Sequence, residues 1–209
     1  MNLSDMTVRA FTEELASSSP APGGGSIAAL GAALAAGLTS MVGELTAGRE
    51  KYKDAQADME LLCAKGKEQA TALLKLMEDD TESFNSFMAA MKLPKDTDEL
   101  KKARSEAMQK AAKVTVEVPM RTLTLCADIA RLALLAVQKG NVNAVTDAGT
   151  AGQFARAAAI SAAYNVRVNL MSIKDAAYVA DARAKVATLL KDVDSAAQAV
   201  ADHLEKALA

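Results

Sequence analysis

The sequence predicts an all-α fold, a bundle of long helices, and three observations lead to this class. Apolar residues make up 51% of the 209 residues but aromatic residues only 3%, so the hydrophobic content is mainly Ala, Leu, Val and Met, which helices accept. Four prolines in the whole chain leave room for long helices. No stretch alternates apolar and polar residues for long enough to predict a strand. Without an internal repeat or a linker, the chain is expected to form one domain over residues 1–209.

Charge and cysteine content argue against several classes of function. The formal net charge is −2 and basic residues are mixed with acidic ones, so nucleic-acid binding is not predicted. Cys63 and Cys126 lie in apolar helical patterns, which indicates buried thiols in a reducing compartment. With one histidine, His203, and no Cys-x-x-Cys pair, a zinc site is not expected. His203 neighbours an apolar stripe and is interpreted as a surface or packing residue.

The uncharged stretch from Leu15 to Gly43 raises the question of a membrane span. The stretch is rich in Ala, Gly and Ser, Pro20 and Pro22 interrupt it, and its continuous part is short for a bilayer. The first five residues lack the basic start and apolar run of a signal peptide. We therefore expect a soluble, cytoplasmic protein.

The most unusual stretch, residues 17–26, contains two prolines and three glycines and leads into small, uncharged residues. It predicts a turn followed by a helix. One interpretation is that an anionic ligand approaches the free N–H groups at the start of that helix. The other is a tight turn with positive φ, followed by a small-residue helix on which others pack closely. On chemistry alone the second is favoured, and the spacing matches neither a Walker loop nor a dinucleotide fingerprint.

Apolar periodicity predicts the first two helices. We expect one over residues 4–16, capped by Ser4 or Asp5, with an apolar face formed by Val8, Phe11 and Leu15. The next runs from near Gly25 to about Gly48 and is apolar all round. Such a helix belongs in a core or a subunit interface.

A third helix is expected between the joint at residues 48–52 and Pro94, with an apolar ladder at Leu73, Leu74, Met77, Phe84, Phe87, Met88 and Met91. Within it lies the acidic run 78–82. Asp80 is four residues before Phe84 and so lies near the apolar face. Asp79 and Glu82 are interpreted as solvated.

Asp96 and Glu99 predict a capping box for the next helix, which Pro119 is expected to kink or break. The helical pattern resumes over residues 120–139, and Gly140 is a suitable terminator.

Two polar sets follow. Residues 140–149 place Asn, Thr and Asp between apolar helices, either as a polar connection or as hydrogen-bonding groups brought into the core. A helix expected over residues 147–170 carries Asn165, Arg167 and Asn169. Ser172 and Asp175 are expected to cap the last helix, whose apolar face is Val186, Leu189, Leu190, Val193, Ala197, Val200 and Leu204. Six or seven such helices form a bundle, most simply a symmetric dimer.

A set of motifs occurs in order along nearly the whole chain: Pro22–Ser26, Met41–Val42, Leu45–Tyr52, Asp80 with Phe84, Leu93–Pro94, Arg104 with Gln109, Val118–Pro119, Gly140–Asn143 with Asp147, and Asn165–Leu170. Each is weak alone, but the ordered set resembles the cyclodeaminase/cyclohydrolase family of folate enzymes. This family comprises the C-terminal domain of formiminotransferase-cyclodeaminase and the stand-alone methenyltetrahydrofolate cyclohydrolases. Thr146 departs from the Ser that is usual in the family, but it keeps the hydroxyl.

The resemblance implies an all-helical homodimer that acts on a tetrahydrofolate derivative carrying a one-carbon unit, with no metal and no cofactor beyond that substrate. Two reactions are known in the family. Cyclodeamination closes 5-formiminotetrahydrofolate to 5,10-methenyltetrahydrofolate and expels ammonia, whereas cyclohydrolysis adds water to the methenyl bridge and gives 10-formyltetrahydrofolate. Both need a group that moves protons on and off nitrogen or water.

The residue inventory suggests roles within this chemistry. We expect Asp80 or Asp147 to be the general acid/base, because both lie beside apolar faces that raise a carboxyl pKa. Lys51 would assist proton transfer, or orient water or the folate carbonyl. Asn141 and Asn143 would bind the pterin, and the glycine turn would bind the pterin or the glutamate tail. Arg49 and Arg167 would bind the carboxylates of that tail. The full set expected to bind substrate is Gly23, Gly24, Gly25, Ser26, Arg49, Tyr52, Asn141, Asn143 and Arg167.

Three hypotheses of function remain. A chain with no room for a formiminotransferase domain favours the cyclohydrolase, and the cyclodeaminase is the alternative. The third is a non-catalytic helical dimer that binds folate or another anion. Convergence of Lys51, Asp80 and Asp147 on one pocket would favour an enzyme, and separate surfaces would argue against it.

Overall fold

The computed structural model describes residues 2–209, which form six α-helices and no β-strand. The helices are α1 (Val8–Leu15), α2 (Gly24–Glu44), α3 (Gln56–Met91), α4 (Asp98–Lys139), α5 (Val145–Leu170) and α6 (Ala176–Leu208). Short 3₁₀ helices lie at Leu3–Asp5, Glu50–Ala55 and Val142–Ala144. The predicted all-α class is confirmed.

Helix α2 lies at the centre of the bundle, packed against α3 and α5 and less extensively against α4. Its buried residues are nearly all small, mainly Ala, Gly and Ser, so neighbouring backbones approach it closely. It is the one helix within residues 2–209 that is long and apolar enough to span a membrane, and 61% of its most apolar window is buried inside the bundle.

Helices α2 and α5 lie side by side and antiparallel. Midway along them, a Cβ at Gly31 would lie 3.8 Å from the Cβ of Ala158. At one end, the first turn of α2 and the last turns of α5 line a common cavity. At the other end, the backbone N–H of Asn141, just before α5, donates to Thr46 Oγ1, just after α2, at 2.8 Å.

The predicted cap of the first helix is wrong. Thr7, rather than Ser4 or Asp5, caps α1, because its hydroxyl accepts from the Ala10 N–H at 3.1 Å. The Glu78 carboxylate on α3 accepts from the Ser4 N–H at 2.8 Å. This long-range contact holds the first residues against α3, outside α1.

The predicted apolar face of α1 is only partly buried, and α2 is shorter than expected. Phe11 is buried, but Val8 and Leu15 are exposed. Helix α2 ends at Glu44 rather than near Gly48. Gly48 instead lies in the following turn with φ of 74°.

The start of α4 also differs from the predicted capping box of Asp96 and Glu99. Thr97 is the N-cap, and its hydroxyl accepts from the Leu100 N–H at 3.3 Å. Pro119 does not break the helix, since α4 continues through it from Asp98 to Lys139.

Several predicted features are confirmed. Gly140 follows the last residue of α4, and its N–H donates to Ala136 O at 2.9 Å. Asp175 caps α6 by accepting from the Tyr178 N–H at 3.1 Å. Both cysteines are free, but only Cys126 is buried as predicted, and burial raises its pKa to about 12, whereas Cys63 is partly exposed.

The close crossing of α2 and α3 predicts that adding one methyl group at Gly66 destabilises the protein. A Cβ at Gly66 would lie 2.7 Å from both Ala36 O and Ser40 Cβ. We expect Gly66→Ala to lower the free energy of unfolding by roughly 1–3 kcal/mol, because backbone of α2 cannot yield without moving the helix. Urea denaturation followed by circular dichroism measures this.

Gly31→Ala is the matched control, since its new methyl group would meet only ordinary packing at 3.8 Å. We expect this control to be neutral or more stable, because alanine is the better helix former. An equal loss of stability in the two variants would contradict the close crossing.

Candidate active site

A cavity of about 180 Å³ opens beside the turn that precedes α2, and we call it the glycine-turn cavity. Its walls come from this turn, α3, α4 and α5: Pro20, Ala21, Gly23, Gly24, Gly25, Asp80, Thr81, Ser83, Phe84, Thr115, Asn165 and Asn169. Among these residues Asp80 is the one titratable side chain. The cavity is therefore a polar recess around a single carboxyl group.

Asp80 is held against the first turn of α2. The Ser26 hydroxyl donates to Asp80 Oδ2 at 2.9 Å. A Cβ at Gly25 would lie 2.6 Å from Asp80 Cγ, so only glycine leaves room for the carboxyl group in this position. The carboxylate thus faces the N-terminal N–H groups and the positive end of the α2 dipole.

Burial raises the pKa of Asp80 above the ordinary aspartate value. Hydrogen bonds from the Ser26 hydroxyl and backbone N–H oppose burial and lower this pKa. Because the folded protein binds this proton more tightly than the unfolded chain, Asp80 makes the fold less stable as pH rises from the ordinary value through the raised one. A raised pKa also brings the carboxyl closer to the range in which it can both accept and donate a proton.

The structure can be compared with the two interpretations of the glycine turn. The prediction of a positive φ in this turn is wrong, since Gly23 is extended with φ of −132°. Within residues 2–209 the one glycine with positive φ is Gly48, which lies after α2. The closely packed small-residue helix is confirmed. An anionic group does lie at the start of α2, and it is the protein's own Asp80 carboxylate.

Asn165 and Asn169, four residues apart on α5, present their side-chain amides to the glycine-turn cavity. Asn165 Nδ2 donates to Ser161 O at 2.9 Å, and Asn169 Nδ2 donates to Thr115 O at 2.6 Å. These bonds fix the orientation of each amide. Within residues 2–209 no group donates to either Oδ1 atom, so both remain hydrogen-bond acceptors for a ligand.

The sequence predicts these asparagines to be part of a polar set, but of that set only Arg167 is among the residues expected to bind substrate. Arg167 lies two residues from each, on a different face of α5, and its side chain is exposed outside the cavity. The i,i+4 spacing of the asparagines in the sequence could have identified them, because it places two amides on one face of a helix whose buried residues are mainly alanine.

A second polar cluster, the Asn141 network, lies at the opposite end of α2. The Tyr52 hydroxyl donates to Asn141 Oδ1 at 3.4 Å and accepts from the Val142 N–H at 3.1 Å. Asn141 Nδ2 donates to Leu45 O at 3.2 Å, and the Asn143 N–H donates to Asn141 Oδ1 at 3.1 Å. The buried Asn141 amide therefore organises the loop, whereas the Asn143 side chain is exposed.

Two positive side chains and one carboxylate lie near this network. The hydrogen bond from the Val142 N–H lowers the pKa of Tyr52, and the charges of Lys51 and Arg49 act in the same direction. Lys51 Nζ lies 5.3 Å from the centroid of the Tyr52 ring. Asp147 is in the first turn of α5, directly after the network. Within residues 2–209 no cluster of three or more His, Cys, Asp or Glu side chains is suited to a metal ion.

The predicted site residues thus form two groups at opposite ends of α2. At its start are Gly23, Gly24, Gly25, Ser26 and Asp80, with Arg167 nearby on α5. At its end are Arg49, Lys51, Tyr52, Asn141, Asn143 and Asp147. Because α2 has 21 residues, the two ends are about 30 Å apart. Within one chain, Lys51 and Asp147 do not converge with Asp80.

Known proteins resemble this chain over most of its length. The family model described as formiminotransferase-cyclodeaminase matches residues 7–188. The chain is 39% identical over 186 residues to the methenyltetrahydrofolate cyclohydrolase of Methylorubrum extorquens, which covers 89% of each protein. It is 34% identical over 198 residues to the formimidoyltransferase-cyclodeaminase of Sus scrofa, and this match spans 95% of the chain but 37% of that longer protein.

The fold also has a solved counterpart. The crystal structure of formiminotetrahydrofolate cyclodeaminase from Thermotoga maritima matches with a TM-score of 0.90 over 99% of this chain and 100% of that one, at 24% identity. At this level of identity the likeness concerns the fold. Since the family model covers most of the sequence and the relatives exceed 30% identity, the chain belongs to the formiminotransferase-cyclodeaminase family.

Proposed function

We propose that this protein is a methenyltetrahydrofolate cyclohydrolase, which hydrolyses 5,10-methenyltetrahydrofolate to 10-formyltetrahydrofolate. The structural observation that carries the proposal is the Asp80 carboxyl, whose pKa is raised by burial in the wall of a polar cavity. The choice of reaction follows the 39% identity to a cyclohydrolase over 89% of both proteins. The chemistry requires no cofactor beyond the tetrahydrofolate substrate.

Asp80 suits the proton transfers that this hydrolysis needs. Water adds to the bridging carbon, and its proton passes to the Asp80 carboxylate. The bond from this carbon to N5 then breaks as Asp80 returns the proton to N5. The remaining hydroxyl proton leaves to solvent as the formyl carbonyl forms, so one proton is released overall. A carboxyl with a raised pKa acts in both directions.

We also propose a homodimer whose active site is shared between the subunits. A two-fold axis perpendicular to α2 and α5 would bring the glycine-turn cavity of one subunit opposite the Asn141 network of the other. Asp80 would then meet the partner subunit's Lys51 and the partner's Asp147. The cavity of about 180 Å³ is smaller than the roughly 300–1,000 Å³ of most ligand sites, as expected for half of a site.

An apolar surface between the two ends supports this arrangement. Leu34 and Met41 on α2 are exposed, as are Phe154, Tyr164 and Val168 on α5. Leu34 and Met41 are seven residues apart, and Tyr164 and Val168 are four apart, so helical periodicity places each pair on one face of its helix. Exposed apolar rows on neighbouring helices are typical of a subunit interface.

The two free thiols bear on the cellular location. We propose a cytoplasmic protein, since free thiols such as Cys63 and Cys126 are typical of a reducing compartment. Neither a membrane nor a nucleic acid is needed as a partner.

Cyclodeamination is the second candidate, because the Sus scrofa relative is named as a cyclodeaminase. The near-ultraviolet absorbance of 5,10-methenyltetrahydrofolate separates the two. Catalysed loss of this absorbance supports the cyclohydrolase. Its appearance from 5-formiminotetrahydrofolate with release of ammonia, without catalysed loss, would make the protein a cyclodeaminase. Absence of both activities would leave a non-catalytic folate-binding dimer and overturn the proposal.

The shared site predicts complementation between two inactive variants. We expect Asp80→Asn and Lys51→Ala each to lower the cyclohydrolase rate by at least about 100-fold, since each removes a proton-transfer group. After dissociation and reassociation of an equal mixture, half of the dimers contain both variants, and each of these has one intact site. The mixture should therefore recover about a quarter of the wild-type rate.

Lys51→Ala mixed with Asp147→Asn is the control. Both residues come from the same end of one subunit, so every site in this mixed dimer lacks one of them and no activity returns. Recovery in neither mixture, with all variants folded and dimeric, would show that each chain builds its site alone.

The Ser26–Asp80 contact predicts a shift in the pH–rate profile. Ser26→Ala removes a hydrogen bond that lowers the pKa of Asp80 while burial remains, so this pKa rises further. The limb of the kcat/KM profile that Asp80 governs should move to higher pH, whether Asp80 acts as acid or base. A ¹³C carboxyl titration by NMR measures the same pKa without turnover.

Ser40→Ala is the matched control, because this buried α2 serine donates to Cys63 O at 3.3 Å, far from the cavity. Its profile should not move. Within residues 2–209 of one chain no other titratable group lines the glycine-turn cavity, and Asp79, Glu82, Glu117 and Arg121 of α3 and α4 surround a separate cavity. In the proposed dimer the partner's Lys51 and the partner's Asp147 also face Asp80, and both are unchanged in the two serine variants. An unshifted pKa in Ser26→Ala would refute the role of the hydroxyl.

A further inference from the structure

Pro119 lies in the interior of α4, where proline is unfavourable. The helix continues on both sides of it, and the residue is buried. Proline has no N–H to donate, and its ring presses on the carbonyl four residues earlier. In α4 this is the carbonyl of Thr115, which therefore loses its helical donor.

The released carbonyl is used by α5. Asn169 Nδ2 donates to Thr115 O at 2.6 Å. The Thr115 hydroxyl is engaged elsewhere, since it donates to Ala112 O at 2.9 Å. Thr115 is buried, so its carbonyl needs a partner inside the protein. The side chain of Asn169 replaces the backbone donor that Pro119 lacks.

This bond determines which atom of Asn169 is offered to the glycine-turn cavity. With Nδ2 directed at Thr115, the amide oxygen remains free, because within residues 2–209 nothing donates to it. Asn165 is fixed in the same sense by its bond to Ser161 O. Thr115, Asn165 and Asn169 all line this cavity.

We propose that Pro119 is a positioning residue of the active site. By withholding its N–H from Thr115, it reserves that carbonyl for Asn169 and sets Asn169 Oδ1 as an acceptor for an N–H group of the substrate. The pterin ring of a tetrahydrofolate carries such groups. The identity of the substrate rests on the proposed function, but the link from Pro119 through Thr115 to Asn169 does not.

A role in folding alone has a different consequence. If Pro119 served only the helix, its replacement would alter stability without altering substrate affinity. Because proline is the poorest residue for a helix interior, we expect Pro119→Ala to keep or raise the Tm. Loss of affinity in a variant that is no less stable separates positioning from folding.

The experiment measures KM and kcat for 5,10-methenyltetrahydrofolate in Pro119→Ala, Asn169→Ala and the double variant. Restoring an N–H at position 119 competes for Thr115 O, so KM should rise roughly fivefold to tenfold while kcat changes little. Asn169→Ala should raise KM at least as much. The double variant should show no further rise, because both changes remove one interaction. Thr124→Ala, elsewhere on α4 with its hydroxyl bonded to Met120 O, is the control and should leave KM unchanged.

The outcomes separate the parts of the proposal. An unchanged KM in Pro119→Ala beside a raised KM in Asn169→Ala would overturn the role of Pro119. An unchanged KM in both would overturn the role of Asn169. If the wild-type protein does not turn over the folate, the proposed function fails, and the side-chain amide resonances of Asn169 still test the link. These resonances should shift in Pro119→Ala, and the link is refuted if they do not.

Discussion

The contact between the Asp80 carboxylate and the first turn of α2 ties the centre of the bundle to its polar cavity. It joins the central helix to α3, and it requires that Gly25 carry no Cβ and that Ser26 carry a hydroxyl. The positive end of the α2 dipole offsets part of the free energy needed to bury a carboxylate. The same contact forms a wall of the glycine-turn cavity. In the proposed mechanism, the group that anchors the start of α2 is therefore also the group that transfers protons.

Small residues determine the remaining architecture. A Cβ at Gly43 would lie 2.8 Å from Cys63 Sγ, and one at Gly66 would lie 2.7 Å from Ala36 O, so α2 and α3 approach nearly backbone to backbone. Interiors packed at this density respond to added atoms by moving whole helices. The spacing between the two ends of the bundle is therefore fixed by α2 and its neighbours, and the polar groups at each end have little freedom to approach one another.

The sequence predicted the helices well and their caps less well, for a physical reason. Long apolar periodicity identifies a helix from local residues alone, but a cap depends on what else binds the first N–H groups. Ser4 lies in the 3₁₀ turn Leu3–Asp5, where Glu78, 74 residues away, accepts from its N–H, and α1 begins only after Thr7. Asp80 was identifiable from its spacing to Phe84. The pairing of Asn169 with a carbonyl released by Pro119 was not, because it depends on how α4 and α5 pack.

The two polar ends of α2 bear on the assembly that the proposed chemistry needs. Both are fixed to the same rigid helix, about 30 Å apart, and α5 runs antiparallel beside it, so bending the chain to join them would break the packing of the whole bundle. A second copy turned about a two-fold axis solves this without deforming either chain. In such a dimer each subunit would supply the end that the other lacks, and the exposed apolar rows of α2 and α5 would lie between the two sites. In the proposed dimer, the helix that separates the groups within one chain would align them between two chains, and its length would set the distance between the two shared sites.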